Sequence, residues 1–206
     1  MRIAVLGSTG PTGRELVAQG LASGHEVVAI ARRPEAWSEL RDARLEVARG
    51  DVEDPASIAR AVEGTDVLVS ALGLSRAQAP GVLTAGARAV LAAAPARVIW
   101  LGSLGGNPSA EVAGPVWPGL MRIVLRREMP DKNRADVLLL DGGATLVHAG
   151  PLTKGASSAA AEVVPLDELR RRILPRAISR ADVAAAMLKE AADARYPGQV
   201  VVPVAR

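Results

Sequence analysis

The sequence predicts one doubly wound α/β domain over residues 1–206: a parallel sheet with helices on both faces and small substrate-side elements near the C-terminus. Three observations predict it. Short apolar runs alternate with helical segments along the chain, the pattern of successive β-α-β units. The first run ends in a glycine-rich turn, Gly7-Ser8-Thr9-Gly10-Pro11-Thr12-Gly13, just before the first helical segment. The length of 206 residues, with no repeat and no linker, suits one core.

Each element has its own reason. Residues 3–6 are a short apolar run stopped by glycine, as in a buried parallel strand. A helix over 12–23 places Leu16, Val17 and Leu21 on one face, and Gly24 ends it. The second strand, 26–31, is closed by Arg32-Arg33-Pro34, and Pro34 opens a helix to about 41 that leaves Trp37 partly exposed. The third strand, 45–48, runs into Gly50-Asp51-Val52, and Asp54-Pro55 caps the next helix. The fourth strand, 67–71, ends at Leu72-Gly73, and an Ala-rich helix covers 81–94. The fifth strand, 97–101, buries Trp100 and ends at Gly102-Ser103. A Gly- and Pro-rich loop of about fifteen residues follows, a length often tied to function. Basic helices near 120–127 and 131–140 precede a sixth strand at 145–148. The tail holds short strands near 162–164 and 199–202, and a helix that opens at Ser179 or Asp182 and runs to about 192.

Composition removes several functions. There is no Cys, so disulfides, thiolate metal sites and cysteine nucleophiles are excluded. His25 and His148 lack the spacing of a metal site, and no metal is expected. The net charge is only +3, and no Lys/Arg stripe interleaves with aromatics, which argues against nucleic acid. No stretch has the length of a membrane span and the N-terminal apolar run is too short for a signal peptide, so a cytoplasmic monomer or homodimer is expected.

In an open parallel sheet, ligands bind beyond the carboxyl ends of the strands. The glycines of the first turn let backbone amides approach a pyrophosphate, and the helix N-terminus adds partial positive charge. Ser8, Thr9 and Thr12 can add hydroxyl donors. This is the Rossmann arrangement for a dinucleotide, and valine at Gly10 or Gly13 is expected to abolish binding while the fold survives. The second strand of an NAD site usually ends in an acid that accepts from the ribose 2′-OH. Here that place holds Arg32 and Arg33, which favours a 2′-phosphate and therefore NADP (NADPH). Asp51 and Val52 follow the third strand, where they either meet the adenine or form a helix-approach turn. Leu72 and Gly73 let the backbone run close under the cofactor.

The segments Gly7–Gly13, Ala31-Arg-Arg-Pro34, Gly50-Asp-Val52, Val69-Ser-Ala-Leu-Gly73 and Leu101-Gly-Ser103 recur in an order similar to the atypical short-chain dehydrogenase/reductase superfamily. Within it, the chain resembles the group of NmrA-like proteins and biliverdin-IXβ/flavin reductases. Ile178-Ser-Arg-Ala-Asp-Val-Ala184 is similar to that group's late helix start. The resemblance implies that Ser103 lies beside the nicotinamide, with a strand-end cap as its other reading. It implies that Lys132, in Asp131-Lys132, meets the cofactor ribose or the substrate, with a surface lysine as its other reading. Ser103 and Lys132 are thus the candidate catalytic residues. The superfamily's Tyr-x-x-x-Lys pair is absent, since the only tyrosine is Tyr196, followed by Pro197. Trp117, in the long loop, either walls the acceptor or anchors a lid, and Pro151, after the sixth strand, is a candidate substrate contact.

Without a tyrosine acid, a flat conjugated acceptor of flavin, quinone or bilin type suits the site better than a ketone, because such acceptors take hydride readily. The expected function is therefore an NADPH-dependent reductase of a small-molecule acceptor. The alternative is a non-catalytic NADP(H)-binding regulator of the NmrA-like kind. A sugar-nucleotide epimerase is disfavoured by the missing tyrosine and the short C-terminal region.

Overall fold

The computed structural model describes residues 1–74, 81–158, 160–169 and 173–205. The first strand β1 (Arg2–Leu6) pairs in parallel with β2 (Glu26–Ala31), and β2 with β3 (Leu45–Arg49). The chain then crosses to the other side of β1, where β4 (Val67–Ser70) pairs with it, followed by β5 (Val98–Ser103) and β6 (Thr145–Ala149). This β3-β2-β1-β4-β5-β6 order is the Rossmann order, and its reversal between β1 and β4 makes the crevice in which such sheets bind ligands. Two further strands of the tail extend the sheet. They are β8 (Ala161–Pro165) and β10 (Val200–Ala205): β10 is parallel to β6, and β8 is antiparallel to β10. A separate two-stranded pair joins β7 (Leu152–Thr153) to β9 (Ile178–Ser179).

Strand alternation sorts the core into two layers. Ile3, Val5, Val27, Ala29, Val67 and Val69 face one side, where α1 (Pro11–Ala22) and α6 (Arg180–Asp193) cover them with Leu16, Val17, Val183 and Met187. Ala4, Leu6, Val28, Ile30, Leu68 and Trp100 face the other side. There α2 (Pro55–Val62), α3 (Val82–Ala93) and α5 (Met129–Asp141) supply Ile58, Leu83, Val90 and Leu139. Period-two burial on both faces is what a doubly covered parallel sheet requires.

Three expected helices differ in extent. The segment after β2 is a 3-10 turn of four residues, Pro34–Trp37, not a helix to 41. Trp37 ends it and is buried, 6% exposed, because its indole N–H donates to Ser8 Oγ (3.2 Å) and the Arg14 guanidinium stacks on its ring. The first basic helix, α4 (Trp117–Val124), starts three residues earlier than expected, since Pro118 is tolerated in a first turn. Pro130 does the same for α5.

Candidate cofactor cleft

A cleft of about 800 Å³ opens along the carboxyl ends of β1, β2, β4 and β5. Its floor is the turn after β1. Gly7 has φ +74°, and a Cβ there would stand 2.8 Å from the Ala71 carbonyl and the Leu72 amide. The close approach of these two strand ends therefore requires glycine. Gly13 has no room for a Cβ either: it would overlap the Gly7 carbonyl oxygen and lie 2.8 Å from Ser8 Cα. Gly10 differs. Its φ is −72°, and a Cβ would meet only Gly7 O, at 3.4 Å. The expectation that the fold survives valine at either position is thus corrected: Gly13 serves the helix–strand contact, and only Gly10 faces open space.

Gly10 precedes α1 without any side-chain cap, Pro11 lacks an N–H, and the first intrahelical donor is Arg14, which bonds Gly10 O at 2.9 Å. The amides of Thr12 and Gly13 therefore point out of the helix N-terminus unbonded among the described residues. No acidic side chain occupies this first turn, so an anion would meet only favourable charge there. Thr9, Pro11 and Thr12 line the cleft. The Ser8 hydroxyl does not serve it: fully buried, it donates to Ile30 O (2.8 Å) and accepts from Trp37, tying the glycine turn to β2.

Arg32 follows β2 and lines the cleft, whereas the exposed Arg33 is outside its lining. Neither guanidinium makes a hydrogen bond or ion pair among the described residues. Asp51, Val52 and Glu53 form the adjoining wall. Asp51 also acts as a turn residue: its Oδ1 accepts from the Glu53 amide at 3.1 Å, and its backbone N–H donates to Ser57 Oγ at 2.9 Å. Leu72 and Gly73 line the cleft beside the glycine turn.

Ser103 and Lys132 both line the cleft. Asp131 explains how Lys132 gets there. Its buried carboxylate accepts from the amides of Gly81, Leu83 and Thr84 at 3.0 Å each and from Thr84 Oγ1 at 2.5 Å. Asp131 therefore caps α3 from the start of α5 and fixes the next residue over the cleft. Burial would raise its pKa, but these four donors overcome that and hold the carboxyl below its ordinary value. The Lys132 ammonium is pushed below its ordinary value by burial, against the pull of Glu128, Asp136 and Asp131. It makes no hydrogen bond or ion pair among the described residues, so it stays available to a ligand.

Behind Ser103 lies a buried polar staple. The His148 imidazole, fully buried on β6, has Nδ1 2.7 Å from Ser109 Oγ and Nε2 3.2 Å from Asp136 Oδ2 on α5. A Cβ on Gly102 would stand 2.6 Å from this ring. The loop after β5 is thus pinned to β6 and α5 at the point where the cleft ends.

The family model for NAD(P)H-binding proteins matches residues 7–194. The chain belongs to this NAD(P)H-binding family. Among relatives of the family member, an uncharacterized Mycobacterium tuberculosis protein is 44% identical over 69 residues, 33% of this chain and 8% of that protein. The chain therefore spans a small part of that relative's length. The anaerobillin reductase ChuY from Escherichia coli O157:H7 superposes with a TM-score of 0.77 at 22% identity, over 99% of this chain and 97% of ChuY. A short-chain dehydrogenase/reductase from Veillonella parvula, solved in complex with NADP, gives 0.74 at 16% identity over 99% and 94%. These likenesses show that the family member shares its overall fold with both proteins.

Two sequence-predicted contacts of the family member lie elsewhere. Trp117 does not line the cleft. Its indole donates to Leu104 O at 2.8 Å, and it packs with Leu104, Ala113 and Val202, the lid-anchor reading. Pro151 is also outside the cleft lining, and its carbonyl accepts from the Ile178 amide at 3.0 Å, joining β7 to β9. Conversely, Leu152 and Arg180 line the cleft without having been singled out. The signal for Arg180 was the Ile178–Ala184 segment, in which Ser179 caps α6 by accepting from the Asp182 amide at 2.9 Å.

Proposed function

We propose that the chain is an NADPH-dependent reductase that passes a hydride to a flat conjugated acceptor of flavin, quinone or bilin type. The observation that carries this reading is the composition of the cleft. It offers a hydroxyl at Ser103 and an unpaired, half-buried cation at Lys132, but no tyrosine phenol. Tyr196 sits at the amino-terminal end of β6, away from the strand ends that line the cleft, where its carbonyl accepts from Thr145 Oγ1. The reductase described for ChuY and the NADP held by the Veillonella protein support the assignment.

In this reading NADPH, when bound, supplies the hydride. The Thr12 and Gly13 amides hold the pyrophosphate, and Arg32 pairs with the 2′-phosphate. Ser103 orients the nicotinamide end. Lys132 would offset negative charge on the reduced acceptor, and solvent or the ammonium would supply its proton. The acceptor occupies a neighbouring cavity of about 510 Å³, whose apolar wall includes Leu104, Val112, Ala113, Leu169 and Val202. Leu104 follows Ser103 in the chain, and Gly150, also in that wall, follows Ala149, the residue paired with Ser103.

The absent phenol also favours a second reading, an NADP(H)-binding regulator. A screen of NADPH oxidation against flavins, quinones and bilins separates the two. Turnover with at least one acceptor supports the reductase, and tight NADPH binding with no turnover on any supports the regulator.

A further inference from the structure

The helix α4 is apolar on two sides. Inward, Trp117 is fixed to the Leu104 carbonyl and packs on the small cluster beside the acceptor-sized cavity. Outward, Val116, Leu120, Ile123 and Val124 are 53%, 40%, 76% and 62% exposed. Their i, i+4, i+7, i+8 spacing puts all four on one helical face. A helix with apolar side chains both inside and outside has an unsatisfied surface. The same segment carries the exposed Arg122 and, just past the helix, Arg126 and Arg127, none of which makes an ion pair or side-chain hydrogen bond among the described residues. Glu128 is the only acid between positions 114 and 130.

A second exposed apolar pair leads to the same cavity. Ile173 and Leu174 are 72% and 52% exposed, and they run directly into Pro175 and Arg176, which line it. In sequence they follow Arg170-Arg171-Arg172.

We propose that the α4 stripe, together with Ile173 and Leu174, docks this protein on an anionic lipid bilayer surface. Charge decides the occupant. A twofold contact with a second copy would gather Arg122, Arg126 and Arg127 of both copies into one patch, with only Glu128 of each to compensate. Lipid phosphates complement those guanidiniums while the apolar side chains enter the acyl boundary, the pattern of interfacial amphipathic helices. Among the described residues no helix is long and apolar enough to cross a membrane, so the contact is peripheral. The inference stands on exposed side chains and is independent of the reductase reading.

The test is co-sedimentation of the full chain with phosphatidylglycerol vesicles and with phosphatidylcholine vesicles. Binding is expected on the anionic vesicles only, weakening as salt is raised. Ile123→Glu combined with Val124→Glu should lower it by about tenfold or more, and Arg126→Glu with Arg127→Glu should do the same. Leu40→Glu, an exposed apolar residue far along the chain, should leave it unchanged. Circular dichroism of each variant reports whether the fold is intact. Wild-type protein that stays in the supernatant with anionic vesicles overturns the proposal. So does undiminished vesicle binding by the Ile123/Val124 variant, or a wild-type dimer that this variant converts to monomer, which would make the stripe a self-association face.

Discussion

The three loop glycines do different jobs, and a single methyl group separates them. In Gly13→Ala the added Cβ would overlap the Gly7 carbonyl oxygen and lie 2.8 Å from two more backbone atoms, so no side chain can rotate away to relieve it. Only a shift of α1 off the β1 turn makes room. Overpacking of this kind costs about 1–3 kcal/mol. In a domain of this size that lowers the melting temperature by roughly 2–12 °C. In Gly10→Ala the nearest atom is 3.4 Å away and φ is −72°, which any residue adopts. The cost there is under about 1 kcal/mol, the usual range for alanine at a helix cap. The methyl instead enters the space assigned to the pyrophosphate, and the dissociation constant for NADPH should rise at least about tenfold. Thermal unfolding by circular dichroism and calorimetric titration measure both quantities in each variant. An unshifted melting temperature in Gly13→Ala would refute the packing argument. Undiminished NADPH affinity in a folded Gly10→Ala would move the phosphate site elsewhere.

Other outcomes follow from named side chains. Arg32→Ala should weaken NADPH by about ten- to hundredfold, the loss of about 1.5–3 kcal/mol of charge-assisted hydrogen bonding, and leave NADH unchanged. Arg33→Ala, outside the cleft lining, should change either by under about threefold, as competitive titration will show. Ser103→Ala should lower single-turnover hydride transfer about tenfold, about 1.4 kcal/mol of positioning, whereas Tyr196→Phe should not change it. Lys132→Met should stabilise the protein while slowing turnover. The folded-state pKa of Lys132 is lowered by burial, so between the folded and unfolded values the unfolded chain binds more protons and stability rises with pH. Below that window the burial penalty is present in full, and methionine removes it. The expected gain is roughly 1–8 °C in melting temperature, and a drop would mean that the ammonium is held by compensating contacts.

The glycine turn, the strand alternation and the order of the strand-end residues were legible in the sequence because each depends on neighbours a few positions apart. Features that depend on distant partners were not. Nothing local in Asp131 reveals that it caps a helix starting fifty positions earlier, and that cap is what positions Lys132. Trp37 reads as a residue on an exposed helix until Ser8 Oγ, 29 positions away, draws its indole inward. Arg32 and Arg33 are chemically identical in sequence, and only the path of the chain out of β2 sends one to the cleft. The strands β7 and β9 have two residues each, too few for any periodicity. Pro118 and Pro130 read as boundaries just outside their helices, although both belong to first turns.

The central claim is that this cleft moves a hydride from NADPH to a conjugated acceptor. Its most direct test is single-turnover mixing of the wild-type protein with NADPH deuterated at the nicotinamide C4, on either prochiral face, and each acceptor in turn. The account predicts loss of the NADPH absorbance with at least one acceptor, together with a primary isotope effect and deuterium transfer from one face only. Tight NADPH binding with no absorbance change for any flavin, quinone or bilin would contradict it.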